Sequence, residues 1–140
     1  MKYHETKLIV RFNEIDAYRM AWHGHYVAWM ELGRNALAVQ FGLDAFQLAE
    51  TGYLGPVVAL ELKFLRPARF NDELTIRTNL VRTETATLKF ATTILGPDES
   101  KLATGSVTHV LTDMAGVLQY QLPPVIAERV NRLLVWLEAL

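Results

Sequence analysis

The chain contains no cysteine. That removes a disulfide framework, a thiol nucleophile and thiolate-bound zinc together. Neither sign of charge is in excess: 14 Lys and Arg stand against 15 Asp and Glu, and the basic residues are scattered. A nucleic-acid partner held by phosphate neutralisation is therefore not expected. No apolar run reaches the roughly 20 residues of a membrane-spanning helix, so no membrane partner is expected. The opening MKYHETKLIV is too polar for a secretory leader, which makes the cytoplasm the expected compartment. Repeats, linkers and low-complexity tracts are also missing, and 140 residues fit a single domain, expected to span residues 1–140.

What is present is a sequence of two textures. Tyr3 to Phe12 mixes polar and β-branched residues and reads as a strand. A helix is expected from about His25 to Phe41, stopped at Gly42, where glycine tolerates a left-handed cap. LDAFQLAETG reads as a second, short helix with Asp44 near its start and Gly52 at its end. From Pro56 the pattern becomes β-rich. Four consecutive antiparallel strands are expected, with Asn71-Asp72 as the first turn, a second turn near Glu84 to Thr87, and GPDES as the third. LPPVIAERVNRLLVWLEAL closes the chain as a helix with Ile126, Val130, Leu133, Leu134 and Leu137 on its apolar face.

The first long helix is apolar around most of its circumference. Its few polar residues, Glu31, Arg34 and Asn35, fall at i, i+3 and i+4 and form one narrow stripe. Such a helix is normally buried, which predicts a sheet wrapped around it. Gly33 and Ala36 are small enough for the sheet to approach closely. A wrapped sheet keeps edges, and edges invite pairing with a second copy, so a homo-oligomer is expected.

The stretch EIDAYRMAWHGHYVAWMELGR, Glu14 to Arg34, concentrates the chemistry. Asp16 lies between the first strand and the helix, where a carboxylate serves as general base or nucleophile; the same position suits an aspartate that only stabilises a turn. Glu31 pairs with Arg34 along the helix or lends its carboxylate to a site. His23 and His25 diverge on a helix, so they do not form a metal pair, and no third ligand accompanies them. His23 alone is placed to contact a carbonyl or orient Asp16. His109, inside a strand, reads as a packing or interface residue. The N–H groups at the helix start lack intrahelical acceptors and suit an oxyanion, and Gly24 leaves room for a ligand to approach them. The stretch has no serine, so a serine nucleophile elbow is unsupported.

VRFNEIDAYRMAWHGHYVAWMELGR resembles the opening of hotdog-fold acyl-CoA thioesterases of the 4-hydroxybenzoyl-CoA thioesterase type, and LKFLRPARFNDELTI is similar to the hairpin of that family. The resemblance implies an α+β hotdog fold, an antiparallel sheet wrapped around a long central helix. It implies thioester hydrolysis with no metal or organic cofactor. Asp16 matches the catalytic carboxylate. His23, seven positions on, matches the position whose backbone N–H polarises the thioester carbonyl. Tyr26 and Glu31 match supporting positions, Glu31 beside polar groups or a neighbouring subunit's site. The implied partners are acyl-CoA or an acyl-carrier protein, with a homodimer or homotetramer as the assembly. A non-catalytic acyl-CoA-binding protein of the same fold is the rival reading. AYRM stands where the family carries a glycine-containing turn; Tyr18, Arg19 and Met20 there reshape the mouth of the site, with Arg19 available to a phosphate or carboxylate of the substrate.

Overall fold

The computed structural model describes residues 2–139. In chain order it contains β1 (His4–Ile9), a 3-10 turn (Phe12–Glu14), α1 (His23–Val39), α2 (Ala45–Glu50), β2 (Tyr53–Leu54), β3 (Val57–Phe64), β4 (Glu73–Val81), β5 (Thr87–Leu95), β6 (Lys101–Val110), β7 (Thr112–Asp113) and α3 (Pro124–Glu138). Five strands form one antiparallel sheet in the order β1-β4-β5-β6-β3, while β2 and β7 pair as a separate ribbon.

The period-2 pattern of β4 and β5 builds the sheet's inner face. Leu74, Ile76, Thr78 and Leu80 are buried on β4, and Leu88, Phe90, Thr92 and Ile94 on β5. Ile76 lies opposite Ile94 and Leu80 opposite Phe90, so each apolar pair presents one surface to the helix. α1 packs across β1, β4 and β5. The approach is tightest at Gly33, where an added Cβ would lie 2.5 Å from Thr78 Oγ1 and 2.7 Å from Ile76 Cγ2. Any larger residue would push the helix off the sheet.

Four expectations need correction. The helix starts two residues earlier than expected, at His23, and ends at Val39, so both histidines belong to its first turn. It is not buried all round: Ala28, Leu32, Asn35 and Val39 form an exposed line, because the sheet covers one side and α3 closes only the far end, where Leu37 and Ala38 meet Ile126, Leu133 and Leu137. Nor are β3 and β4 a hairpin. β3 pairs with β6, with Leu60 opposite Val107 and Leu62 opposite Gly105. The β3–β4 connection therefore crosses the end of the sheet. The first strand is shorter than expected, because Val10 and Arg11 leave the ladder: Val10 N–H donates to Asp72 O and Arg11 N–H to the Glu14 carboxylate. Asp44 caps α2 through Gln47 N–H, and Gly52 has φ of 92° just past its end, as expected.

Candidate active site

Three segments meet at the start of α1. The first is the loop from Ile15 to Ala21, closed by a bridge between those two residues. Asp16 N–H donates to Met20 O at 3.0 Å and Arg19 N–H to Asp16 O at 3.0 Å, forming a tight turn. Asp16 Oδ1 accepts the Tyr18 N–H at 2.8 Å. So the carboxylate does stabilise its turn, with one oxygen, and the second has no hydrogen-bond donor among the described residues. Arg19 sits at the corner with φ of 63°, the conformation a glycine adopts without cost.

Glu14 anchors this loop. It is only 3% exposed. Its carboxylate accepts the Arg11 N–H at 2.8 Å and the Trp29 indole N–H at 3.0 Å, and Arg11 Nε lies 3.4 Å away. Its carbonyl accepts the Trp22 N–H at 2.9 Å. Burial pushes the Glu14 carboxyl up, but these hydrogen bonds and the Arg11 charge outweigh it and hold it below the ordinary carboxylate range.

The second segment is the helix start. Trp22 occupies the N-cap position and its side chain makes no capping bond. The N–H groups of the first turn, beginning with His23 and Gly24, therefore receive no side-chain acceptor from the cap. The Trp22 ring lies against Gly24: an added Cβ there would fall 2.1 Å from Cζ3 of the indole. The glycine makes room for this tryptophan, so the space that the sequence assigns to an approaching ligand is filled by Trp22. The same ring lies 5.1 Å from the His23 ring and 5.5 Å from the His25 ring.

The third segment is the β3–β4 connection. Leu65 and Arg66 both donate their N–H to Leu102 O, at 2.8 and 3.1 Å. Ala68 is held from two sides: its carbonyl accepts the Ala21 N–H at 2.8 Å, and its N–H donates to the Tyr26 hydroxyl oxygen at 3.0 Å. Burial raises the Tyr26 phenol above its ordinary value, so it remains a neutral hydroxyl.

Between these segments lies an open cavity of about 310 Å³. Asp16, Tyr18 and Met20 line it from the loop, His23 and Tyr26 from the helix, and Phe64, Arg66 and Pro67 from the third segment. Of the residues singled out in the sequence, Asp16, His23 and Tyr26 come together here. Arg19 does not line the cavity, although its neighbours Tyr18 and Met20 do. Glu31 is half-buried one turn further along α1, in a bidentate pair with Arg34. His25 points to the opposite side of the helix, into a shallow groove with Ile9 and Leu32. His109 is buried; its Nδ1 lies 2.8 Å from Gly55 O and its ring meets Phe90 edge-on. Among the described residues, no three His, Asp or Glu side chains cluster as a metal site, and no helix is long and apolar enough to cross a membrane.

Sequence reading missed Phe64, Arg66 and Pro67, because a hairpin turning at Asn71-Asp72 makes residues 56–70 an ordinary strand. It also missed the anchoring role of Glu14, for which the adjacent Arg11 and the tryptophan fifteen positions on were the available signals.

A five-stranded antiparallel sheet laid along one central helix, with the cavity at the helix start, defines the class as the hotdog fold. Residues 10–130 match the family model of the thioesterase-like superfamily. The solved structure of a DHNA-CoA thioesterase from Staphylococcus aureus superposes with a TM-score of 0.84 at 17% identity, covering 96% of this chain and 93% of that one. A candidate esterase of Synechocystis is 28% identical over 134 residues, 94% of this chain and 81% of the relative. YneP of Bacillus subtilis, named as a candidate acyl-CoA thioesterase, is 28% identical over 74 residues, 53% of this chain and 54% of the relative. The chain belongs to the thioesterase-like superfamily, and the family sets its reaction class as thioester hydrolysis.

Proposed function

We propose that this protein hydrolyses an acyl-CoA, or the corresponding acyl-carrier-protein thioester, to the free acid and the thiol. The observation that carries the reading is the Asp16 carboxylate in the wall of a largely apolar cavity, beside an uncapped helix start. One Asp16 oxygen is fixed by the Tyr18 N–H, which orients the other for attack on the thioester carbon or for taking a proton from water. The uncapped N–H at His23, at the start of α1, is the donor for the carbonyl oxygen as charge develops on it. Tyr26 and Phe64 meet edge-on at 5.0 Å and provide an apolar surface for the acyl group. A panel of acyl-CoAs, followed by thiol release from wild type and Asp16→Asn, tests this. Equal turnover by the two proteins across the panel would remove Asp16 from the mechanism. Tight acyl-CoA binding without turnover by wild type would favour the non-catalytic reading.

The active form in this reading is a homo-oligemer built on β3, in a single-domain, cytoplasmic protein. β3 is a sheet edge, and Val57, Val58, Leu60 and Phe64 on it are between 47% and 58% exposed. An apolar edge of this length invites pairing with a copy of itself. Phe64 belongs to both the edge and the cavity, so pairing there would complete the acyl site, and Glu31, on the partly open side of α1, is available to it. Sedimentation of wild type and Leu60→Lys checks the assembly: wild type is expected to be at least dimeric at micromolar concentration, and the variant to shift toward monomer with lower turnover.

A further inference from the structure

Arg66 is the cation in the cavity wall, and the sequence pattern had placed that charge at Arg19. Its backbone is mounted rigidly. The Leu65 and Arg66 N–H groups are tied to Leu102 O, Pro67 restricts the next φ, and Ala68 is clamped between Ala21 and Tyr26. Its guanidinium belongs to no ion pair among the described residues. The described ion pairs use Arg11, Arg34, Arg77 and Arg82. Asp98, the acid whose field Arg66 touches, is engaged with Ser100 through Oγ at 2.6 Å and N–H at 3.1 Å.

The distribution of burial around the cavity orients any substrate. Ala21 and Tyr26 are buried, Pro67 is half-buried, and Arg66 is exposed. The apolar inner part suits an acyl chain, and the guanidinium stands on the solvent side, where the thiol carrier must leave. A planar guanidinium with free N–H donors binds phosphate oxygens in bidentate fashion. We infer that Arg66 recognises the thiol carrier by binding the phosphate of the phosphopantetheine arm common to coenzyme A and acyl-carrier proteins, and so separates both from unphosphorylated pantetheine. This rests on the proposed thioester hydrolysis and adds to it the group by which the substrate is recognised.

The test places one acyl group on pantetheine, on 4′-phosphopantetheine and on CoA. For Arg66→Gln, KM is expected to rise about tenfold for the two phosphate-bearing thioesters, with kcat retained. The pantetheine thioester should be unaffected, and Arg66→Lys should recover part of the loss. A rise confined to CoA would overturn the assignment to the arm phosphate, because only the nucleotide phosphates would then be involved. An equal rise for pantetheine would overturn it too, showing a wall residue with no interest in the anion. Calorimetric titration of free 4′-phosphopantetheine into wild type and Arg66→Gln separates this from turnover: about tenfold weaker binding by the variant supports the inference even if no thioester is hydrolysed, and unchanged binding overturns it.

Discussion

Glu14 and Asp16 flank Ile15 at the entry of one short loop, and their surroundings differ in burial and in hydrogen bonding. Glu14 faces inward, is 3% exposed, and its oxygens are taken by Arg11 and by the indole of Trp29. Asp16 faces the cavity, is half-buried, and spends one oxygen on its own turn. A buried carboxylate with both oxygens engaged holds a structure together and does not face a reactant. One that is oriented by a single backbone donor and opens onto a cavity keeps a lone pair for chemistry. In the proposed reading, two acids two positions apart divide support and reaction between them, the first tying the loop to α1 through Trp29 and the second facing the cavity.

The largest effect expected on activity separates the two directly. Asp16→Asn keeps an oxygen to accept the Tyr18 N–H, so the turn survives and stability should change by less than about 1 kcal/mol. The kcat should fall by about 10²-fold or more with loss of the base or nucleophile. Thiol-release kinetics beside urea denaturation read both numbers. A variant that loses its stability along with its activity would put Asp16 in the same structural class as Glu14.

Glu14→Gln should show the reverse. An amide nitrogen replaces one acceptor oxygen, so one of two buried donors, the Arg11 N–H or the Trp29 indole, loses its partner. The expected cost is about 1–3 kcal/mol, with a smaller change in kcat than at Asp16. The pH dependence sharpens the point. Burial raises the Glu14 carboxyl, but hydrogen bonds and the Arg11 charge lower it further, to a net value below the ordinary one. A carboxylate depressed in the fold stabilises fully above its unfolded value, about 4.3, and that contribution is lost as pH falls through the folded value. Below about pH 4.3 wild type should therefore lose stability more steeply than Glu14→Gln. Parallel losses in urea titrations between pH 5 and 3 would mean that Glu14 is not the group responsible.

The contrast between the two acids was only half legible in the sequence. For Asp16 the residues alone leave a turn aspartate and a catalytic one open, and only the resemblance to the family's opening favours the second. The alternation through β4 and β5 and the cap at Asp44 act over short distances, and local pattern conveys them. Glu14 depends on Trp29, and Ala68 depends on Tyr26 and Ala21; those are tertiary pairings with no periodic signature. The same holds for β3. Its composition and the Asn71-Asp72 turn suit a hairpin with β4, but the sheet places it beside β6, and only that order brings Arg66 to the cavity. Gly24 failed for a related reason: a glycine leaves space, and sequence does not say whether ligand or neighbouring side chain fills it. Here the filler is Trp22.

The smallest expected effect concerns the turn that carries Asp16. Arg19 holds φ of 63°, a conformation that costs a residue with a Cβ about 1–2 kcal/mol. Arg19→Gly relieves that strain but makes the unfolded chain more flexible, which takes back about 0.4–1 kcal/mol. A net gain of no more than about 1 kcal/mol is expected, read as a small rise in the urea midpoint at constant slope. Arg19→Ala retains the Cβ and should show no gain. If the alanine variant rises as far as the glycine variant, the arginine side chain, and not the backbone, is the source of the cost. The loop around Asp16 would then be as unstrained as the one around Glu14, and the difference between the two acids would reside wholly in their hydrogen bonds.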